Sequence, residues 1–304
     1  MRNRERTRSA AAILAVVPWL AACAGSGHRA AEDRAARMVP VAELPERQRE
    51  VLAAWRRGGA EWEAERARVA ADPELARFFV ENLIVLMVRA FDGSAIATAA
   101  NPDRPFDRAQ AELVRWEDRS TEVLVELLGV RDGIVAYLAA DTLKRIGGAA
   151  VRPASEKLSS EDPELRRRAA ELLGELPPSR EIEARVLEQL GERVERDEAW
   201  IVRAQAARAL GSRGSRLAAR GPAAAALTRA LRDPEPEVVK SAVSGLGVLG
   251  ELSAVPPLIQ CLERAARDGD LARVRAAQAA LRRLLREESD LSPDDWWERW
   301  RTRD

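Results

Sequence analysis

The sequence predicts an all-α fold, an α-solenoid of stacked two-helix repeats with an N-terminal helical cap. Three observations lead there. Hydrophobic residues make up 46% of the chain but aromatic residues only 4%, so the core is built from Ala, Leu and Val, which suits closely spaced helices better than a sheet sandwich. Ala-rich stretches recur as "RAQAELVR", "AADTLKRIG", "RRAAELLGEL", "AQAARALGSRG", "KSAVSGLGVLG" and "RAAQAALRRLL". Their anchor residues Leu113, Leu143, Leu173, Leu210, Leu246 and Leu281 stand 30, 30, 37, 36 and 35 residues apart, a period typical of helix-pair repeats. Finally, Asp-Pro turns separate the units, a cap and a first-turn proline in one dipeptide.

The elements follow in chain order. Residues 1–9, "MRNRERTRS", are basic, and residues 10–22, "AAAILAVVPWLAA", are apolar around Pro18. The apolar run falls short of the ~20 residues that span a bilayer, and with its charged start it reads as a signal peptide. Leu20-Ala21-Ala22-Cys23 resembles the lipobox of bacterial lipoproteins. The resemblance implies cleavage before Cys23, lipidation of that residue, and attachment of the chain to a membrane. Ala24, where an aspartate would favour inner-membrane retention, implies the periplasmic side of the outer membrane in a Gram-negative cell. The alternative is an ordinary signal peptide cut after an A-x-A-like site, which leaves Cys23 a free thiol or half of a disulfide. Residues 23–45 read as a small, polar, flexible tether.

Residues 46–106 read as a helical arm and cap. "EVLAAWRRGGAEWEAERARV" places Trp55, Trp62 and Val69 seven apart around a break at Gly58-Gly59, a pattern for an arm lying on the cap or, alternatively, a short coiled coil. "DPELARFFVENLIVLMVRAF" starts with a cap at Asp72-Pro73 and is apolar nearly all round from Leu83 to Val88, so it is predicted to be buried on most sides.

Residues 107–288 carry the repeats. In "VRAQAARALG", Val202, Ala206, Ala209 and Leu210 share one helix face, and the alanines admit a close neighbour. The pairs Leu173-Gly174, Leu210-Gly211 and Leu246-Gly247 are predicted to end the first helix of each unit, with glycine in the left-handed stop position. Second helices are expected in "AAVRPASEKL", "EIEARVLEQL", "AAAALTRAL" and "AVPPLIQCLERAA", and Asp162 and Asp233 are expected as N-caps. This pattern resembles the HEAT repeat of the short type named from phycobilisome lyases, most fully in "DPEPEVVKSAVSGLGVLGELSAVPPLIQCLE". The resemblance implies a ladder between Arg residues and turn aspartates, which Arg203 and Arg275 fit and Lys240 departs from. Residues 289–304 hold "LSPDDWWERW", where Ser292, Pro293 and Asp295 predict a capped short helix. Trp296, Trp297 and Trp300 are expected to gather on one side, either covering the last repeat or docking a partner.

The residues also exclude classes of function. The chain is formally neutral, and removing residues 1–22 takes away Arg2, Arg4, Arg6 and Arg8 against Glu5, leaving a slight acidic excess. Nucleic-acid binding is therefore disfavoured. The one histidine, His28, lies in the tether, so no Cys/His pair, triad or histidine metal site is expected, and Cys261 reads as a small packed hydrophobe. No catalytic residue, cofactor or metal is expected. The expected function is a lipid-anchored envelope scaffold or adaptor, held to the membrane through Cys23 and binding an unidentified protein partner through the repeat surface. The alternative is an enzyme or enzyme accessory subunit of the bilin-lyase type.

Overall fold

The computed structural model describes residues 14–16, 38–40, 43–90, 104–217 and 220–303. Cys23 and Ala24 lie outside them. The fold is an all-α solenoid of helix pairs; among the described residues only β1 (Leu14–Val16) and β2 (Met38–Pro40) are extended, pairing antiparallel with Ala15 opposite Val39. The chain divides into two units, residues 1–142 and 143–304.

The first unit contains α1 (Glu46–Arg57), α2 (Gly59–Ala71), α3 (Pro73–Ala90), α4 (Pro105–Arg115) and α5 (Glu117–Leu127). Gly58 and Gly59 both have positive φ, 70° and 63°, a reversal open to glycine without a Cβ penalty. It separates α1 from α2. Asp72 accepts the backbone N–H groups of Glu74 and Leu75 at 3.0 and 3.1 Å and starts α3. Trp55, Trp62 and Val69 are all buried. The two tryptophans meet Phe79 of α3, with ring centroids 6.0 and 4.8 Å away, and Trp116 stacks on Trp62 at 6.2 Å. This aromatic cluster gathers four rings of a chain otherwise poor in them, and such pairs add to what their buried area contributes.

Helix α6 (Gly133–Ile146) runs across the division. The second unit then holds α7 (Val151–Glu156), α8 (Pro163–Glu175), α9 (Glu183–Arg196), α10 (Trp200–Gly214), α11 (Gly221–Ala230), α12 (Pro236–Leu249), α13 (Val255–Asp268), α14 (Leu271–Leu285) and α15 (Pro293–Arg301). Helices α8, α10, α12 and α14 lie side by side as the first helices of successive repeats, with α7, α9, α11 and α13 packed on them as the second layer. All six anchor leucines are buried. Val202, Ala206, Ala209 and Leu210 are buried together.

The Leu-Gly pairs do something other than end helices, a correction to the sequence reading. Gly174, Gly211 and Gly247 lie inside α8, α10 and α12. A Cβ on Gly211 would stand 2.4 Å from the Cα of Gly245, and one on Gly174 or Gly247 would stand 3.1 Å from the Cα of Ala209 or Ala280. These glycines are the points where neighbouring first helices touch backbone to backbone. The left-handed stops are Gly250 and Gly269, with φ of 74° and 71°, and Arg286 after α14, with φ of 57°. In α14 the residue after the anchor leucine is Arg282, so the close-contact glycine is missing where the stack ends.

Candidate functional site

The edge of the second unit where each repeat passes to the next is built by paired charges. Asp162 caps α8 by accepting the N–H of Glu164 at 2.9 Å. Four residues on, Arg166 is buried and donates two bonds to Asp197 at 2.8 and 2.9 Å and two more to the carbonyls of Ser160 and Glu161. The next repeat copies this: Arg203 donates to Asp233 at 2.8 and 3.0 Å and to the carbonyls of Asp197 and Glu198. The bonds to these carboxylates raise both guanidinium pKa values. Planar two-point pairing of this kind fixes orientation, so the loops at Asp197 and Asp233 are locked onto α8 and α10, the first helices of the preceding repeats.

The ladder corrects two expectations and keeps the departure of Lys240. Asp233 does not cap α12, whose N-cap is Glu235; its carboxylate is instead shared between Arg203 and the N–H of Glu235. Arg275 is exposed and outside the ladder, while Arg166, unmarked by the sequence reading, is in it. Lys240, with a single point charge in place of a fork, pairs with Glu237 of its own helix, and Asp270 turns to the N–H of Arg273.

At this edge the first residue of each first helix stands at the surface. Pro163, Trp200, Pro236 and Leu271 open α8, α10, α12 and α14, and all four are exposed. Trp200 is 44% and Leu271 67% exposed, the two most solvent-accessible large apolar side chains of this unit. The row repeats once per helix pair, at the roughly 8–10 Å separation of packed helices. Trp200 escaped the sequence reading because nothing adjacent to it differs from a packed helix start. On α6, Ile134 and Tyr137 are likewise 44% and 45% exposed.

Other polar groups are committed to the fold. Arg213, fully buried, donates to both carboxylate oxygens of Glu183 at 2.6 and 2.7 Å and to the carbonyl of Leu173 at 2.7 Å. Arg216 adds bonds to the carbonyls of Leu176 and Gly174. Together they satisfy the open carbonyls at the end of α8. Cys261 is buried, and that burial pushes its thiol pKa up, against the lowered value a nucleophile needs. Among the described residues no group of His, Cys, Asp and Glu is arranged to hold a metal, and no helix is long and apolar enough to cross a membrane.

The three C-terminal tryptophans divide. Ser292 caps α15 through the N–H of Asp295 and donates its hydroxyl back to that carboxylate at 2.6 Å. Trp296 is fully buried, its indole N–H bonded to Gln278 at 2.7 Å, and so is withdrawn from any partner. Trp297 donates to Glu263 at 2.7 Å, and Trp300 lies under Arg303; both are half-buried.

The HEAT repeats family model matches residues 121–211 and, overlapping, 187–282, together just over half of the chain. The chain belongs to the HEAT-repeat family. Among solved structures, this HEAT chain is similar to an engineered protein at 22% identity, over 68% of this chain and 97% of that one, with a TM-score of 0.44. It is similar to Escherichia coli YibA at 20% identity, over 64% and 66% of the two chains, TM-score 0.49. It is also similar to the complex of CpcE and CpcF of phycocyanin lyase from Nostoc sp. PCC7120, at 16% identity over 92% and 97%, TM-score 0.35. Likenesses this distant carry no argument about activity. No curated protein matches the chain in sequence.

Proposed function

We propose that this HEAT chain is an exported lipoprotein, anchored through Cys23 in the bacterial envelope on the periplasmic side of the outer membrane, and that it works as a scaffold for a partner protein rather than as an enzyme. The observation that carries the binding role is the row Pro163, Trp200, Pro236 and Leu271, apolar, exposed and repeated at the start of each first helix. Trp200 is the natural anchor, since a rigid aromatic buries a large area at low entropic cost and such residues dominate binding energies. Arg166 and Arg203 beside this row are spent on holding the loops, and the row itself offers surface shape and apolar contact for recognition. The anchor rests on Leu20-Ala21-Ala22-Cys23 after the apolar run. On this reading β1 belongs only to the precursor.

Two measurements test the two halves. Cys23→Ser blocks incorporation of labelled lipid and leaves unprocessed or soluble protein; normal labelling and processing of the variant would sink the anchor. A photocrosslinking residue at position 200 in intact cells yields one discrete adduct that is absent when the same residue replaces Arg208. Equal adducts at both positions, or none at either, refute the edge as the binding face.

A further inference from the structure

Helix α14 has a solvent face made of arginine, alanine and one leucine. Its exposed residues are Leu271, Ala272, Arg275, Ala279 and Arg283, and Arg286 follows directly at its C-cap. At 3.6 residues per turn these six occupy roughly one third of the circumference, and Arg282 falls among them. The opposite side, with Ala277, Gln278, Ala280, Leu281, Leu284 and Leu285, is buried. The helix contains no acidic residue. Arg273 turns to Asp268 and Asp270, and Arg282 to Asp290. Arg275, Arg283 and Arg286 make no ion pair with a described residue, whereas Arg166, Arg203 and Arg213 are spent on carboxylates. On neighbouring α12, the exposed residues are Pro236, Lys240, whose partner Glu237 neutralises it, Ser244 and Val248.

Three guanidinium groups outside any ion pair lie along about 16 Å of one helix, with Ala279 and the Asp290-paired Arg282 between them, and form a shallow cationic strip. We propose that this strip docks on a membrane surface bearing anionic phospholipids, which lays the second unit against the bilayer that holds the tether. The inference rests on the anchoring reading for its setting: a chain already tethered needs only weak attraction to lie down. Its physical basis is charge complementarity, since juxtamembrane basic residues are drawn to an anionic leaflet and the attraction fades within a Debye length. Small alanines let the helix approach the phosphates closely.

The test uses the processed chain, residues 23–304, with Cys23→Ser so that no acyl chain contributes. It is mixed with vesicles of phosphatidylglycerol and phosphatidylethanolamine, or of phosphatidylcholine alone, and sedimented. The expected result is binding to the anionic vesicles only, weakened by salt. The triple variant Arg275→Gln, Arg283→Gln, Arg286→Gln loses about a hundredfold in affinity, at about fivefold per arginine, with an unchanged melting curve. The triple Arg→Lys variant keeps most of the binding, because a membrane reads charge rather than the guanidinium fork. Equal binding by the parent and the Gln variant overturns the proposal. So does binding to poly-glutamate but not to vesicles, which assigns the strip to an acidic protein instead. Because this chain is unlipidated, the outcome is independent of whether Cys23 is acylated in the cell, and the two readings fail separately.

Discussion

Replacing Gly211 with alanine reverses the usual sign of a helical Gly→Ala change. Inside an exposed helix the substitution stabilises by about 1 kcal/mol, because alanine loses less backbone entropy. Here the new methyl would lie 2.4 Å from the Cα, 2.6 Å from the O and 2.8 Å from the C of Gly245. All three are backbone atoms of α12, so no rotamer change relieves the clash. Restoring an ordinary contact requires α10 and α12 to separate by about 1 Å, which forfeits a quarter to a half of the dispersion energy along the contact. The same displacement pulls on the Arg203 to Asp233 pair. Overpacking costs typically 1–3 kcal/mol, and rigid backbone on both sides puts this site at or above the upper end. After the propensity gain, a net loss of about 2 kcal/mol is expected, or about 4–8 °C in melting temperature. Gly191→Ala is the control: its methyl would meet nothing nearer than the Ala226 Cβ at 3.7 Å, so α9 should be stabilised by up to about 1 kcal/mol. Circular dichroism melts and urea titrations of both variants decide the matter. A Gly211→Ala protein as stable as the parent, or two variants shifted alike, would refute the backbone-contact reasoning.

Four further outcomes follow from burial. Leu210→Ala opens a cavity under α10 and should cost about 2–5 kcal/mol by urea denaturation, while exposed Arg208→Ala stays within about 0.5 kcal/mol. Arg213→Ala leaves the Glu183 carboxylate and the Leu173 carbonyl without their donor and should cost about 3–5 kcal/mol, part of which returns in the double variant Arg213→Met, Glu183→Leu because neither charge is then left alone; no recovery in a double-mutant cycle would count against the pair. Trp296→Ala should cost about 3–5 kcal/mol in a thermal melt and Trp300→Ala much less, since the first ring is fully buried and the second is not. Deleting residues 291–304 should lower the melting temperature at least as far as Trp296→Ala does.

Much of this protein was legible along the chain because its repeats are local. The anchor leucines mark the first helices, since one buried position per helix is forced to recur whenever helix pairs stack, and all six proved buried. Asp72, Asp162 and Ser292 show their capping role in sequence because a cap acts within three residues of itself. What the glycines do was not legible. Leu-Gly at 173–174, 210–211 and 246–247 has the same appearance as a helix stop, and only the neighbouring helix, some 35 residues away, makes it a contact point. The arginines divide in the same manner. Arg166 and Arg213 are identical in local context to solvated arginines, yet one is bound to Asp197 and the other to Glu183, each about 30 residues distant, whereas Arg275, Arg283 and Arg286 are left facing water. By itself the sequence determined the helices, their period and the family, because backbone hydrogen bonds and amphipathic faces are set by residues within two turns of one another. The tertiary structure alone decided which small residues touch, which charges are consumed, and which tryptophans remain at the surface, because each depends on a partner that the stacking of repeats brings near.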